Sequence, residues 1–125
     1  MKLIILCMLT GFLSKAQNTD IRGNQYFLKG KIIKKSDAII QACGSDAWAL
    51  VVELEIINFT NDSYKGKNIP VIFTCPTSYR KQYFNVGKVH TLKVADQKQT
   101  NFAWIISNYE ALEKYNLKTK FWVIN

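Results

Sequence analysis

The stretch "WALVVELEIIN" (residues 48–58) has the clearest pattern in the chain, because apolar side chains recur at every second position. Successive side chains of a strand point to opposite faces of the sheet, so this period predicts a half-buried strand. Glu53 and Glu55 fall on one face. The other face, which we expect to lie in the core, carries Trp48, Leu50, Val52, Leu54 and Ile56. The stretch therefore predicts a long strand with both glutamates outside.

Further segments of strand composition lie on both sides of this one. In "YFLKGKIIKK" (26–35), Leu28 and Ile32 share one face, and the other face carries Lys29, Lys31 and Lys35. Turn-forming residues fill "FTNDSYKGKN" (59–68), which predicts a hairpin loop. The other predicted strands are "IPVIFTC" (69–75), "VGKVHTLKV" (86–94), "FAWIIS" (102–107) and "KFWVIN" (120–125).

Helical signals are few. "PTSYRKQYF" (76–84) has room for one or two helical turns. Ser107 and Glu110 match the capping-box pattern and predict a short helix at 109–115. Pro70 cannot donate a hydrogen bond to a ladder, so it indicates an edge strand or the start of a strand.

Six short strands with one late helix predict a mainly β domain. The order favours a small five- to six-stranded antiparallel Greek-key barrel of the oligonucleotide/oligosaccharide-binding (OB) type. A β-sandwich is the main alternative, and an open sheet with one packed helix is a further one.

The first sixteen residues match an export signal. Lys2 is followed by a mainly apolar stretch of eleven residues, Leu3 to Leu13, which is too short to span a bilayer, and the small residues Ser14 and Ala16 then suit cleavage before Gln17. We expect a signal peptide at 1–16, an N-terminal segment at 17–25 and a single OB-like domain at 26–125. The expected location is secreted or periplasmic.

Cleavage would leave two of the three cysteines, because Cys7 lies in the signal. An even pair in an exported chain predicts a disulfide, here between Cys43 and Cys75. These residues would lie at the open end of the hairpin made by the second and third strands. Trp48 is nearer the level of Cys75, so the residues after Cys43 must fold back. The alternatives for Cys43 are a nucleophile and a metal ligand.

Residue chemistry gives little support to an enzyme or a metal site. His90 is the single histidine, and typical zinc sites need three or four nitrogen or sulfur ligands. The sequence has no Cys-x-x-Cys, Gly-x-Ser-x-Gly, phosphate-loop or His-Glu-x-x-His motif. Glu53 and Glu55 are the remaining candidates for acid–base catalysis, but exposed pairing with Lys29 and Lys31 is the simpler expectation. We predict no catalytic residue, cofactor or metal.

The chain is basic, and loss of Lys2 and Lys15 lowers its formal charge from +8 to +6. An acidic partner is one explanation, and a solvated basic surface is the simpler one. Two candidate contact surfaces are rich in cations, and the first also carries aromatic residues. The first comprises Tyr79, Arg80, Lys81 and Tyr83, and the second comprises Lys29, Lys31, Lys34 and Lys35. Nucleic acid is disfavoured, because the outward face of the second strand carries two glutamates and no aromatic residue.

The run "FTCPTSYRKQYFNVGKVHTLKV" (73–94) resembles the middle of netrin-like modules, the fold of tissue inhibitors of metalloproteinases. A strand ending in a cysteine, a loop and a strand opened by a "VGK" phrase follow in that order, and the resemblance spans about residues 26–94. It implies an OB-type barrel. Those inhibitors present a mature N-terminal cysteine to the protease zinc, whereas Gln17 is the expected N-terminus here. The resemblance therefore implies no metalloproteinase inhibition.

These observations predict an exported, non-enzymatic binding or interaction module for a protein or an anionic envelope polymer. We expect a monomer that does not span a membrane. One alternative is an inhibitor of a secreted enzyme, which a protruding loop at 59–67 or 95–101 would favour. The other is a small exported hydrolase using Glu53 or Glu55, which a buried glutamate in a deep pocket would favour.

Overall fold

The computed structural model describes residues 21–34 and 40–124, which form six strands, one α-helix and two 3-10 turns. The expected signal peptide, residues 17–20 and Lys35 lie outside the described residues. The strands are β1 (Gln25–Lys34), β2 (Trp48–Phe59), β3 (Asn68–Thr74), β4 (Val89–Ala95), β5 (Ile105–Ile106) and β6 (Phe121–Ile124). The helix is α1 (Tyr109–Glu113), and the 3-10 turns are turn 1 (Pro76–Ser78) and turn 2 (Lys81–Phe84).

Five strands close into a barrel in the order β1-β4-β6-β3-β2, and β2 pairs again with β1. The barrel pairs are antiparallel except β3–β6, which is parallel at Val71 and Ile72. The predicted small, mainly β barrel of OB type with one short helix is thus confirmed. A sandwich and an open sheet are excluded, because the sheet closes on itself.

The barrel interior is filled by the alternating residues that the strand patterns predicted. Leu28 and Ile32 of β1 face Leu50, Val52 and Leu54 of β2 within one buried apolar cluster. Two irregularities in the β1–β2 register, at Lys29/Gly30 and Ile32/Lys34, bend this pair of strands. A Cβ on Gly30 would lie only 3.1 Å from the carbonyl oxygen of Glu55, so the strands approach most closely where glycine allows it.

A second, smaller core covers the outside of β2 and β3. Its buried members are Ala49, Val51, Ile72, Leu112 and Trp122, with Trp104, Ile106 and Ala111 packed against them. The helix α1 and the segment before it therefore form an outer layer over the barrel. The prediction of an exposed outer face on β2 was wrong for this reason.

The fifth strand is shorter than predicted and lies outside the barrel. It pairs in parallel with β2 at two positions only, Trp48 with Ile105 and Ala49 with Ile106. Ser107 does not cap α1 as predicted, because its hydroxyl donates to the carbonyl oxygen of Ala49 at 3.4 Å. The residue at the helix N-terminus is Asn108, whose side chain makes no capping bond.

Two further predictions concern strand boundaries. β4 begins at Val89 and not at Val86, because Gly87 adopts a φ of 94° in a turn closed by the Lys88 amide on the carbonyl of Asn85. Pro70 is the third residue of β3 and precedes Val71, where the pairing with β6 starts. Among the described strands it therefore has a partner on the β2 side only, which agrees with the predicted edge position near a strand start.

The predicted disulfide is confirmed. Cys43 and Cys75 are bonded, with their Cα atoms 5.3 Å apart. The Cys75 amide donates to the carbonyl of Trp48 at 2.9 Å, so Trp48 lies at the level of Cys75 as expected. The bond ties the segment before β2 to the residue that follows β3.

Candidate functional site

An apolar pocket of about 310 Å³ opens at one end of the barrel, between the end of β1 and the two 3-10 turns. Its floor is formed by buried side chains of the barrel core and turns, namely Leu50, Val52, Pro76 and Phe84. Its rim carries Lys34, Ile40, Thr77, Tyr79, Arg80 and Lys81. The pocket therefore combines an apolar base with a cationic edge.

The first part of the rim is shaped by the turn that follows β3. Cys75 adopts a left-handed conformation with φ 47°, which costs about 1–2 kcal/mol in a residue other than glycine. The carbonyl of Cys75 accepts hydrogen bonds from the Ser78 amide and hydroxyl, at 3.0 and 2.8 Å. Pro76 suits the start of turn 1, since the N–H that it lacks would have no partner inside the turn. The disulfide, the turn and the proline together direct residues 77–81 towards the pocket.

Turn 2 is anchored by its aromatic residues. The Phe84 ring packs edge-on against Phe73 with ring centroids 5.1 Å apart. Tyr83 also contacts Phe73, and its ring stacks on His90 with centroids 3.8 Å apart. His90 Nε2 lies 2.7 Å from the carbonyl oxygen of Tyr83. The single histidine is thus engaged in holding turn 2.

Tyr79 and Tyr83 both remain protonated well above neutral pH. Burial raises the pKa of Tyr79, and the neighbouring Tyr83 raises it further. Burial also raises the pKa of Tyr83. The two rings lie 4.9 Å apart, but only Tyr79 lines the pocket. The aromatic part of the rim is therefore uncharged and cannot repel an anion.

The cations of the rim have no ion-pair partner among the described residues. Lys34, Arg80 and Lys81 are all exposed. The ion pairs of the described chain join other lysines to acids, namely Lys31 and Lys67 to Glu55, and Lys114 to Glu53. Among the described residues, no carboxylate lines the pocket. The described part of the rim therefore contributes a positive electrostatic potential at the mouth.

The structure brings together only part of the two predicted surfaces. Arg80, Lys81 and Tyr79 of the first surface meet Lys34 of the second at the pocket. Tyr83 packs behind the rim. Lys29 and Lys31 lie on the outer face of β1, where Lys31 pairs with Glu55 at 3.5 Å. Lys35 lies outside the described residues.

The two glutamates of β2 have different surroundings. Glu53 is only 5 % exposed, because α1 packs outside β2, and its carboxylate accepts from Lys114 at 2.7 Å and from the Tyr115 hydroxyl at 2.9 Å. Burial and the Glu53 carboxylate raise the pKa of Tyr115. Glu55 is more exposed and pairs with Lys31 and Lys67. Both carboxylates therefore have cationic partners, and the expectation that both lie exposed was wrong for Glu53.

Sequence reasoning missed several residues of the pocket. Thr77 and Ile40 gave no chemical signal, and Leu50 and Val52 were predicted as core residues only. Pro76 was the one feature of the sequence that indicated a sharp turn after Cys75. Asn108 was also missed, although its side chain bonds both to the amide and to the carbonyl of Val51, each at 2.8 Å.

A second pocket, of about 340 Å³, lies near Tyr26, Tyr64 and Phe121. Its charged residues are Asp96 and Lys118, and Asp96 already accepts from the Asn24 amide and side chain at 2.8 and 3.1 Å. This pocket has a single cation and a more polar lining than the first. We therefore take the first pocket as the candidate site.

Comparison with known proteins finds no matching family model, no matching curated protein and no matching solved structure. The similarity to netrin-like modules stays a prediction. Within residues 21–34 and 40–124, no three His, Cys, Asp or Glu side chains are grouped so that they could hold a metal ion. No helix in that part of the chain is long and apolar enough to cross a membrane. The candidate site thus depends on geometry alone.

Proposed function

We propose that this protein is an exported, monomeric binding module whose ligand is a protein or an anionic envelope polymer, held at the pocket between β1 and the 3-10 turns. The observation that carries the proposal is the placement around an apolar cavity of three cations that have no ion-pair partner within residues 21–34 and 40–124. Exposed basic residues without acidic neighbours attract anionic partners and speed their association. The disulfide supports export, since such bonds persist in oxidising compartments.

The outer layer of the barrel supports a ligand other than nucleic acid. OB barrels that read oligonucleotides use the face of strands 2 and 3. Here Val51 of β2 and Ile72 of β3 are buried beneath Leu112 and Trp104. Bases could stack on that face only after displacement of α1.

The proposal is tested by removing the three rim charges and measuring the loss of affinity for acidic probes. This loss is compared with the loss caused by removing three charges elsewhere on the surface. The rim variant carries Lys34→Ala, Arg80→Ala and Lys81→Ala. The control variant carries Lys29→Ala, Lys93→Ala and Lys118→Ala, three exposed lysines away from the pocket. Poly-L-glutamate and dextran sulfate serve as defined acidic probes, and binding is measured by calorimetry at low and physiological salt.

We expect the rim variant to lose about tenfold or more in affinity, and the control variant to lose about threefold or less. Equal losses in the two variants would contradict the proposal, because they would show that net charge alone attracts the probes. Binding should also weaken as salt rises, since exposed charges are screened beyond about 10 Å at 0.1 M ionic strength.

The inhibitor alternative has one supporting feature, the ordered loop between β2 and β3. Asn61 accepts from the Ser63 amide at 2.9 Å, and the Tyr64 hydroxyl donates to the carbonyl of Asn68 at 2.5 Å. These bonds hold exposed residues such as Asp62 and Lys65 in one conformation. An ordered, exposed loop is suited to insertion into an enzyme cleft. The hydrolase alternative is less favoured, because the one buried glutamate, Glu53, is neutralised by Lys114.

A further inference from the structure

We infer that the ligand of the pocket is an acidic peptide segment that inserts one apolar side chain between flanking carboxylates. This inference depends on the proposed function and names the class of ligand. A ligand complementary to the pocket needs an apolar group to contact the floor and several negative charges to pair with the rim. A peptide such as Glu-Glu-Leu-Glu-Glu supplies both within a few residues.

The size and lining of the cavity favour a single side chain. Its volume of about 310 Å³ is at the lower end of the range of about 300–1,000 Å³ seen for small-molecule sites. Leu50, Val52 and Phe84 at its floor offer no charge and no side-chain hydrogen-bonding group. A sulfated or carboxylated glycan has no apolar group to cover this floor. A leucine or phenylalanine side chain would cover the floor and bury its apolar surface away from water.

The distribution of the cations favours more than one carboxylate. Lys34 ends β1, Arg80 lies between the two 3-10 turns, and Lys81 begins turn 2, so the charges come from separate parts of the rim. A single-headed amphiphile such as a fatty acid would neutralise one of them and leave the others unpaired. The guanidinium of Arg80 can also hold a carboxylate through two parallel hydrogen bonds.

The part of the rim formed by the two 3-10 turns is held in place before any ligand arrives. The disulfide fixes Cys75, turn 1 is closed on the Cys75 carbonyl, and Phe84 fixes the end of turn 2 in the core. A preorganised site loses less conformational entropy on binding, so a short peptide can reach measurable affinity. The interface would then have the usual form of one apolar anchor surrounded by polar contacts.

The test compares two capped peptides of equal charge, Glu-Glu-Leu-Glu-Glu and Glu-Glu-Ala-Glu-Glu, by calorimetry with the full mature chain. Poly-L-glutamate and laurate serve as further probes. We expect the leucine peptide to bind about tenfold more tightly than the alanine peptide, from the extra apolar surface buried. Thr77→Trp, which fills the mouth from an exposed rim position, should abolish that difference. Thr91→Trp, at an exposed site on β4, should preserve it.

The outcomes separate this inference from the proposed function. Equal affinity for the two peptides would overturn the inference and leave an electrostatic binding site. Binding of laurate without binding of either peptide would overturn it in favour of a small amphiphile in the same pocket. If poly-L-glutamate, laurate and both peptides all fail to bind, both the inference and the proposed function are overturned. Thermal unfolding of each tryptophan variant checks that the chain remains folded.

Discussion

The Asn108 side chain hydrogen-bonds the backbone of Val51 in β2. Val51 lies between the residues of β2 that pair with β5 and those that pair with β1. The Asn108 amide accepts from Val51 N–H and donates to Val51 C=O, both at 2.8 Å. Asn108 is 5 % exposed and Val51 is 2 % exposed, so water cannot readily replace either bond. One side chain thus satisfies two buried backbone groups and fixes the start of α1 against the barrel.

Substitution Asn108→Ala should lower the free energy of unfolding by about 2–4 kcal/mol, because each buried group left without a partner costs about 1–3 kcal/mol. Urea unfolding measures this as a lower midpoint at an unchanged slope. The matched control is Asn58→Ala, an exposed asparagine in β2, the strand that Asn108 contacts, which should change stability by less than about 0.5 kcal/mol. A loss below 1 kcal/mol for Asn108→Ala would show that these bonds are dispensable.

Tyr115 makes stability depend on pH in the alkaline range. Burial and its hydrogen bond to Glu53 raise its pKa above the ordinary value of 10.0, so the folded chain keeps this proton when the unfolded chain has lost it. The stabilisation is therefore complete below about pH 10 and is lost as the pH rises towards the folded pKa. We expect the free energy of unfolding to fall with pH above 10.

In the Tyr115→Phe variant, the free energy of unfolding should fall less steeply above pH 10 than in the native chain. At neutral pH the variant should already be less stable by about 1–2 kcal/mol, since Glu53 loses one hydrogen bond but keeps Lys114. Urea unfolding at neutral pH and at two values above pH 10 tests both statements. Tyr109→Phe, at an exposed tyrosine, is the control and should keep the slope of the native chain. The same alkaline slope in Tyr115→Phe and the native chain would refute the assignment.

At the scale of elements, the disulfide joins the entry to β2 with the exit from β3. It closes a loop with a sequence separation of 32 residues, which corresponds to about 3–4 kcal/mol in the chain-entropy description. It also holds Cys75 in its left-handed conformation at the start of turn 1. Stability and the shape of the pocket rim therefore depend on the same bond.

The double variant Cys43→Ser/Cys75→Ser should be less stable by about 3–4 kcal/mol and should bind poly-L-glutamate more weakly than the native chain. Denaturant unfolding and calorimetry measure the two effects. Added reductant should reproduce both effects in the native chain and should change nothing in the double variant. An unchanged unfolding midpoint after complete reduction would contradict this role for the disulfide.

The elements of the barrel could be predicted from the sequence because each has a local signal. Alternation defined β1, β2 and β3, and the turn residues at 59–68 defined their hairpin. The outer layer had a weaker sign, since Ala49 and Val51 are apolar residues on the face that also carries Glu53. Two apolar faces on one strand indicate a covering element, but they do not identify α1 as that element.

The candidate site was only partly predictable, because it depends on contacts between distant residues. Basic and aromatic composition identified Arg80, Lys81 and Tyr79, and it identified Lys34 within a separate run of lysines. A shift in register at the end of β1 and the turn after Cys75 bring these side chains to one pocket. Neither feature has a pattern that a single sequence displays, so Lys29 and Lys31 were grouped with Lys34 by proximity in sequence alone.

At the scale of the whole molecule, the barrel separates a closed face from an open end. The outside of β2 and β3 is covered by α1, whereas the end between β1 and the turns holds an apolar cavity whose rim carries Lys34, Arg80 and Lys81, which have no ion-pair partner in the described part of the chain. The net charge of +8 over the full chain gives a general attraction for acids, and the pocket is the specific place that we propose for their binding. The central claim is that binding occurs at this end.

The most direct test is a nuclear magnetic resonance titration of the protein with the peptide Glu-Glu-Leu-Glu-Glu, following every backbone amide. We predict that the largest shift changes fall on Lys34 and on residues 76–84, with small changes on the outer face of β1 and β4. Largest changes at Lys29, Lys31 and Lys93, or uniformly small changes across the chain, would contradict the assignment of the binding site to the pocket.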